Sequence, residues 1–219
     1  MGNLNGIGSS SALRRALFPK GFAGEVMRLV FETWQDFLLR RDVRLEERIT
    51  AVFRDALIDA YVTEGRAWFI ALEDPITDPT FGTEFGRNDL RFYPLWCHHR
   101  QSIFFTVECK RLHVRTKSGF RHLADKYVTD GLQRFVEGKY SVGLPCGGML
   151  GYVMDNRMDD AFTKVCAEIN SHRPSLKIKA EGVLNSPSEI LPQQAYSADS
   201  FHDRADGTFT VHHLLVGVQ

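Results

Sequence analysis

Two predicted strands place an aspartate, a glutamate and a lysine where they could act together. Glu108 and Lys110 follow residues 103–107, whose apolar and β-branched side chains predict a buried strand. Asp89 lies in residues 87–92, a shorter alternating segment that predicts the preceding strand. Because alternate side chains of a strand share a face, Glu108 and Lys110 point the same way. A carboxylate and an amine are therefore presented side by side at the rim of a sheet.

These residue types suit the hydrolysis of a phosphodiester bond with the help of a divalent metal. Burying the Glu108 or the Lys110 charge alone would be costly, so the pair requires a partner, a metal ion or solvent. Carboxylate oxygens are the hard ligands that hold Mg²⁺, and a lysine beside the metal can orient the attacking water. Carboxylates gathered around one cation repel one another when the cation is absent. The ligand set is therefore expected to be only partly assembled in the metal-free protein.

The same pattern has a simpler interpretation, because a Glu-x-Lys pair is common on protein surfaces. An exposed ion pair of this kind contributes about 0–1 kcal/mol to stability. Three features favour a chemical site instead: the apolar strand before Glu108, the position of Asp89 on a preceding strand, and the order of the predicted elements.

A run of basic residues follows the proposed site. Between Lys110 and Lys126 the chain has six Lys or Arg residues and one acid, Asp125. Charge runs are commonly solvated faces, but this one adjoins the predicted metal site, which favours contact with a phosphate backbone. The candidate nucleic-acid contacts are Arg111, Arg115, Lys117, Arg121 and, on the next predicted helix, Arg134. For Arg134, a salt bridge between helix and sheet is the alternative.

The elements that position these residues follow from hydrophobic periodicity. The pattern predicts helices over residues 24–41, 44–64, 120–137 and 159–171. It predicts strands over residues 66–73, 87–92, 103–111, 147–154 and 208–218. This order indicates an α/β protein with a mixed central sheet flanked by helices.

The two ends of the chain give weaker signals. Residues 1–21 are acid-free and contain a serine run, so we expect a flexible N-terminal arm before a single domain over residues 22–219. That domain would carry an N-terminal helix and a C-terminal strand extension beyond its core. His202 and Arg204 precede the last predicted strand, where they could contact a phosphate or simply form a turn.

Asp89, followed by Glu108-Cys109-Lys110 on the third strand of an αβββαβ order, resembles the PD-(D/E)XK, or restriction-endonuclease-like, nuclease superfamily. The signature covers residues 87–111, and the similar element order extends the likeness over residues 44–155. Asn88 stands where the motif has its naming proline, a variable position in such enzymes. The stretches ECKRLHV and YVTDGLQRFVEGKYSVGLPCGGMLGYVMD also resemble small nuclease subunits of bacterial anti-phage defence systems.

This resemblance implies cleavage of DNA, or less often RNA, that depends on Mg²⁺, with Mn²⁺ as a substitute. By position, Asp89 and Glu108 would be metal ligands and Lys110 the catalytic lysine. Members often add a glutamate from the first core helix. Glu47 is the preferred match and Glu46 its competitor, since only one of two adjacent helical residues can face the sheet.

The charge, cysteine content and hydropathy of the chain limit the classes of protein to which it can belong, but they do not identify its partners. The 27 basic and 27 acidic residues of this 219-residue chain cancel, which argues against a uniformly basic protein but permits a local basic footprint. The four cysteines show no C-x-x-C pairing, which predicts a reduced, cytoplasmic protein. No apolar run approaches the roughly 18 residues that a membrane span needs.

No base-reading module is recognisable in the sequence. Specificity would then come from loops, from a second copy in a homodimer, or from a partner subunit such as a sensor, helicase or ATPase. The alternative function is a catalytically silent subunit with the nuclease fold that binds nucleic acid or a partner without cutting.

Overall fold

The computed structural model describes residues 5–37, 44–63, 65, 68–77, 84–95, 102–117, 119–178 and 184–218. Its helices are α1 (Asn5–Leu17), α2 (Phe22–Asp36), α3 (Glu46–Thr63), α4 (Ala124–Lys126), α5 (Gln133–Val136) and α6 (Met158–Ser171). A π-helical segment, Tyr127–Leu132, joins α4 to α5 without a break. The strands are β1 (Trp68–Thr77), β2 (Glu84–Pro94), β3 (Phe105–Leu112), β4 (Val114–Thr116), β5 (Gly119–Arg121), β6 (Cys146–Val153), β7 (Ser197–Arg204) and β8 (Gly207–Gly217).

Six of these strands form one mixed sheet in the order β1-β2-β3-β6-β8-β7. The first three strands are antiparallel, β3, β6 and β8 run parallel, and β7 returns antiparallel to β8. Strands β4 and β5 make a separate antiparallel hairpin. The predicted mixed α/β sheet with flanking helices is therefore confirmed.

Helices cover both faces of the sheet, as β6 illustrates. Every residue of β6 is buried, which is the pattern of a central strand covered on both sides. Its Leu150 and Tyr152 pack into the apolar cluster formed with α2 and α3. Its Met149 and Val153 pack into a second cluster formed with the π-helical segment and α6. Because alternate strand residues face opposite ways, the two helical layers lie on opposite faces.

Three parts of the chain differ from expectation. Residues 5–17 of the expected arm form α1, whose Arg15 donates 2.8 Å to the Thr208 carbonyl and lies 3.5 Å from Asp206. The β4–β5 hairpin precedes a helix that was expected to begin at residue 120. Strand β7 holds His202 and Arg204, which are buried rather than placed in a turn. Residues 38–41 of the first predicted helix lie outside the described residues.

A buried chain of hydrogen bonds ties the π-helical segment to β8 and β7. The Tyr127 hydroxyl lies 3.0 Å from His213 Nδ1, and His213 Nε2 lies 2.7 Å from Ser200 Oγ. Ser200 Oγ is 2.7 Å from His202 Nε2, and His202 Nδ1 donates 2.7 Å to the Leu176 carbonyl. A carbonyl only accepts, so His202 carries a proton on Nδ1. With both imidazoles neutral, Ser200 donates to His202, His213 donates to Ser200 and Tyr127 donates to His213.

This arrangement predicts a loss of stability in acid. Burial lowers the pKa of His202 to about 4 and that of His213 to about 3. In the unfolded chain histidine titrates near pH 6.5, so below that pH the unfolded state binds more protons than the folded state. The free energy of unfolding should then fall by up to about 1.4 kcal/mol per pH unit for each histidine, down to the two folded pKa values.

Urea unfolding at pH 7.5, 6 and 5 measures this slope. We expect His202→Gln to make the pH dependence shallower than in the wild type, whatever its own cost in stability. The matched control is His172→Gln, which replaces a half-exposed histidine at the C-terminal cap of α6. A slope that is the same in all three proteins would contradict the assignment of His202 as a neutral buried group.

Candidate functional site

The site lies where β2 and β3 separate. The two strands pair only through residues 90–92 of β2, although β3 continues past that point. Beyond the paired part, the Cys109 N–H donates 2.7 Å to Asp89 Oδ2, and the Arg111 N–H donates 2.7 Å to Glu46 Oε2. Alternate N–H groups of a strand point to the same side, so both carboxylates are held along one edge of β3.

Lys110 lies at the centre of this group. Its Nζ is 2.8 Å from Glu108 Oε1, 3.1 Å from Glu46 Oε1 and 4.0 Å from Asp89 Oδ2. It also donates 2.9 Å to the Cys109 carbonyl. The structure therefore brings Asp89, Glu108 and Lys110 together as the sequence predicts, and it adds Glu46.

The choice of Glu47 over Glu46 is corrected by the geometry. Both residues lie in the first turn of α3, where a carboxylate is favoured by the helix dipole. Glu46 contacts Lys110 and Arg111, whereas Glu47 is exposed to solvent. Successive residues of a helix are rotated by about 100° around its axis, so Glu47 is turned away when Glu46 faces the sheet.

Glu108 is the most deeply buried member of the group, with 1% of its side chain exposed. Its Oε1 accepts from Lys110 and lies 3.7 Å from Arg134 Nη1. Its Oε2 is buried and has no hydrogen-bond partner among the described residues. An unpaired buried carboxylate oxygen is costly, and oxygens of this kind are what Mg²⁺ or Mn²⁺ binds. Asp89, Glu108 and Glu46 therefore offer carboxylate oxygens of the kind that a hard divalent cation binds.

The charges of the group are strongly coupled. Burial and the neighbouring Glu108 carboxylate raise the pKa of Asp89 to about 8. Burial also raises the pKa of Glu108. Burial opposes the Lys110 charge, but Glu108, Asp89 and Glu46 together raise the pKa of Lys110 above its usual value. Lys110 therefore stays charged at neutral pH. Because Asp89 is protonated at that pH, a cation that binds its carboxylate must displace the Asp89 proton.

The π-helical segment lets a helix approach Lys110 closely. A Cβ atom on Gly131 would lie 2.6 Å from Met149 Cε and 3.5 Å from Lys110 Cγ, so only glycine fits there without a shift. Short π-helical turns are frequent at functional sites. Arg134, in α5, bonds the Tyr140 hydroxyl and reaches Glu108, so the structure shows the helix–sheet ion pair that was its alternative role.

A basic groove of about 940 Å³ includes Arg111, the residue after Lys110 in the sequence, although Lys110 and the three carboxylate residues are not among its lining residues. The groove is lined by four arginines, Arg44, Arg111, Arg115 and Arg157. Its other lining residues are His113, Val114, Phe120, Met154 and Asp155. The Nε of Arg111 has no partner among the described residues. Of the other predicted contacts, Lys117 and Arg121 are exposed on the β4–β5 hairpin. Arg44 and Arg157 carry no sequence signal, because only the fold brings them to the groove.

Comparison with protein-family models, with curated proteins and with solved structures finds no match for this chain. Among the helices of the described residues, none combines the length and the apolar character needed to cross a membrane.

Proposed function

We propose that this protein is a metal-dependent nuclease of the PD-(D/E)XK type that hydrolyses phosphodiester bonds of nucleic acid, with DNA favoured over RNA. One observation carries the proposal: three carboxylates surround Lys110, and the buried oxygen Oε2 of Glu108 has no partner among the described residues. The antiparallel strands β1 to β3, followed by a helical crossover to a parallel β6, support the restriction-endonuclease-like αβββαβ core.

The chain's own residues have separate tasks in this reaction. Asp89 and Glu108, with Glu46 beside them, would hold Mg²⁺ or Mn²⁺, whose charge polarises the scissile phosphate and lowers the pKa of a bound water. Lys110 uses all three of its N–H donors on Glu108, Glu46 and the Cys109 carbonyl. If Glu46 Oε1 turned from Lys110 to a bound cation, one donor of Lys110 would be released. That donor can orient the attacking water and stabilise charge developing on the phosphate.

The groove supports a polymeric substrate over a small phosphate ester. Arg111 lies next to Lys110 in sequence, and its guanidinium also bonds the Arg44 carbonyl. Arg111 and Arg115 line the same groove as Arg44 and Arg157, and several cations in one groove suit a run of phosphates on one strand. Lys117 and Arg121 on the β4–β5 hairpin would extend the contact, and all of these contacts weaken in salt.

The proposal includes a biological setting that rests on the resemblance of the sequence. The protein would act in the cytoplasm of a prokaryote, in defence against phage. A sensor, helicase or ATPase subunit, or a second copy in a homodimer, would supply the specificity and the trigger.

A cleavage panel tests the activity. Full-length protein is incubated with plasmid, single-stranded DNA and RNA in Mg²⁺, in Mn²⁺ and in EDTA. We expect cutting only with metal, its loss in Lys110→Ala and Asp89→Asn, and its retention in Asp130→Asn, a half-exposed acid on the neighbouring helical segment. Binding without cutting under every condition, unchanged by Asp89→Asn, would instead support the silent binding subunit. The panel is repeated with the co-purified products of neighbouring genes, so that dependence on an activating subunit is measured.

A further inference from the structure

A second cluster of ligand atoms lies outside the carboxylate site. His113 Nε2 is 3.3 Å from His122 Nδ1 and 3.6 Å from Asp160 Oδ2. His122 Nδ1 is 3.9 Å from the same Asp160 oxygen. Ligands of a tetrahedral zinc ion, each about 2.0–2.2 Å from the metal, lie about 3.3–3.6 Å apart. The three atoms therefore form a triangle of nearly the size that one such ion requires.

The most buried ligand is also oriented for metal binding. His113 is 1% exposed, and its Nδ1 lies 2.9 Å from Asp155 Oδ1. The Asp155 carboxylate accepts this hydrogen bond from Nδ1–H, so the neutral imidazole has its lone pair on Nε2, which faces His122 and Asp160. Asp155 is itself fixed, because Arg157 donates to it from the backbone N–H at 3.1 Å and from Nε at 2.7 Å. A carboxylate behind a metal-binding imidazole is the usual support of zinc ligands.

We propose that His113, His122 and Asp160 bind a transition-metal ion, Zn²⁺ by preference, with water in the fourth position. Two imidazoles and one carboxylate are a donor set that suits zinc better than Mg²⁺, which prefers oxygen. The Phe120 ring, with its centroid 5.2 Å from the His113 ring and 5.0 Å from the His122 ring, shields one side. Arg157 is the one cation of the described residues that pairs with this cluster, and Asp155 neutralises it.

The position of the His113–His122–Asp160 cluster indicates a structural role for a bound ion. His113 and His122 stand at the two ends of the β4–β5 hairpin, where the His113 N–H donates 3.0 Å to the His122 carbonyl. Asp160 lies in the first turn of α6. One ion therefore ties the base of the hairpin to α6. The hairpin carries Arg115, Lys117 and Arg121, so the ion would fix one wall of the basic groove. That last consequence rests on the proposed function, whereas the metal site does not.

Metal binding by the full-length protein tests the site without any nucleic acid. Chelator-stripped protein is titrated with Zn²⁺ against a chromophoric chelator, and separately with Co²⁺ while its visible absorption is recorded. We expect one strongly bound equivalent per chain and a Co²⁺ spectrum of the tetrahedral type. Limited digestion with trypsin should also slow at Arg115, Lys117 and Arg121 when Zn²⁺ is added, because the hairpin opens less often.

Five variants locate the ion. His122→Gln and Asp160→Asn should each weaken Zn²⁺ binding by at least about tenfold, and Asp155→Asn by about 10–100-fold through loss of the oriented imidazole. His172→Gln, at the half-exposed C-terminal cap of α6, and Asp89→Asn, in the carboxylate site, should keep the wild-type affinity and stoichiometry. Circular dichroism and a melting curve confirm that each variant is folded.

Two results would overturn the assignment. One is wild-type protein that binds Zn²⁺ no more tightly than His122→Gln does, which would mean a hydrogen-bonded histidine pair without a metal. The other is an equivalent that is lost in Asp89→Asn, which would place the ion at the carboxylates. Because the readout is metal binding, these outcomes are independent of whether the protein cuts nucleic acid.

Discussion

Asp89→Asn is expected to reduce metal-dependent cleavage by about 10³-fold or more and, at the same time, to stabilise the metal-free protein. The loss of activity follows from the removal of a charged metal ligand and corresponds to about 4 kcal/mol in the activation barrier. Asparagine has the same shape as aspartate, and its carbonyl oxygen can still accept the Cys109 N–H. The variant therefore removes the charge and keeps the local structure.

The gain in stability follows from the pKa of Asp89. Its pKa is about 8 in the folded protein, whereas an unperturbed aspartate has a pKa of 3.8, so between these values the folded state holds a proton that the unfolded state has lost. The free energy of unfolding of the wild type therefore falls as pH rises from about 4 to about 8. Asparagine carries no such penalty. Because 28% of the Asp89 side chain is exposed, solvent screening leaves a gain of about 1–3 kcal/mol at pH 8.

Thermal melts in EDTA at pH 5 and pH 8 measure this effect. For a chain of this size each kcal/mol raises the melting temperature by about 2–4 °C, and the gain should be larger at pH 8 than at pH 5. Asp130→Asn is the control. Asp130 is half-exposed, and hydrogen bonds from the Thr129 hydroxyl and from Lys126 lower the pKa of Asp130, in contrast to the raised pKa of Asp89. A melting temperature of Asp89→Asn at or below that of the wild type at pH 8 would refute the account.

Lys110→Ala should destabilise the metal-free protein by about 3–5 kcal/mol. This is the cost of removing one partner of a buried ion pair and leaving the other charge uncompensated. The Lys110 ammonium is the closest cation to Glu108, whose side chain is 1% exposed. Without it, Arg134, at 3.7 Å and 41% exposed, is the cation of the described residues that still pairs with Glu108. Urea unfolding in EDTA at pH 8 gives the free energy directly.

Two further variants separate this ion pair from a general effect of losing a lysine. Lys126→Ala removes an exposed pair with Asp130 and should cost less than about 0.5 kcal/mol. The double variant Glu108→Gln/Lys110→Ala should recover most of the lost stability, because the uncompensated charge is gone. If Lys110→Ala costs under about 1 kcal/mol, or if the double variant recovers nothing, the buried pair does not control stability here.

The sequence was sufficient to predict the strand that carries the site, because a continuous apolar run followed by Glu108 and Lys110 is a local signal. It was also sufficient in principle to choose Glu46. Glu46 lies three residues before Ile49 and seven before Phe53, which are buried on one face of α3. Leu45 and Val52 widened the apolar face predicted for this helix, so the pattern did not show which of Glu46 and Glu47 faces the sheet. Both apolar residues are exposed in the structure.

Other parts of the structure depend on distant residues and could not be predicted from local patterns. Strand β7 has the sequence SADSFHDR, which lacks the apolar alternation of a strand, and it is held by pairing with β8 and by buried hydrogen bonds from its polar side chains. The helix α1 is anchored through Arg15 to residues near the other end of the chain. The ligands His113 and Asp160 are joined only by the fold.

The separation of β2 from β3 leaves backbone N–H groups of β3 without a neighbouring strand. A bare strand edge is a template on which a second molecule can add a strand and begin aggregation. Asp89 and Glu46 accept hydrogen bonds from the N–H groups of Cys109 and Arg111, so these donors are not open to a second strand. The acids proposed for metal binding therefore also cap the backbone donors through which this edge could pair with another copy of the protein.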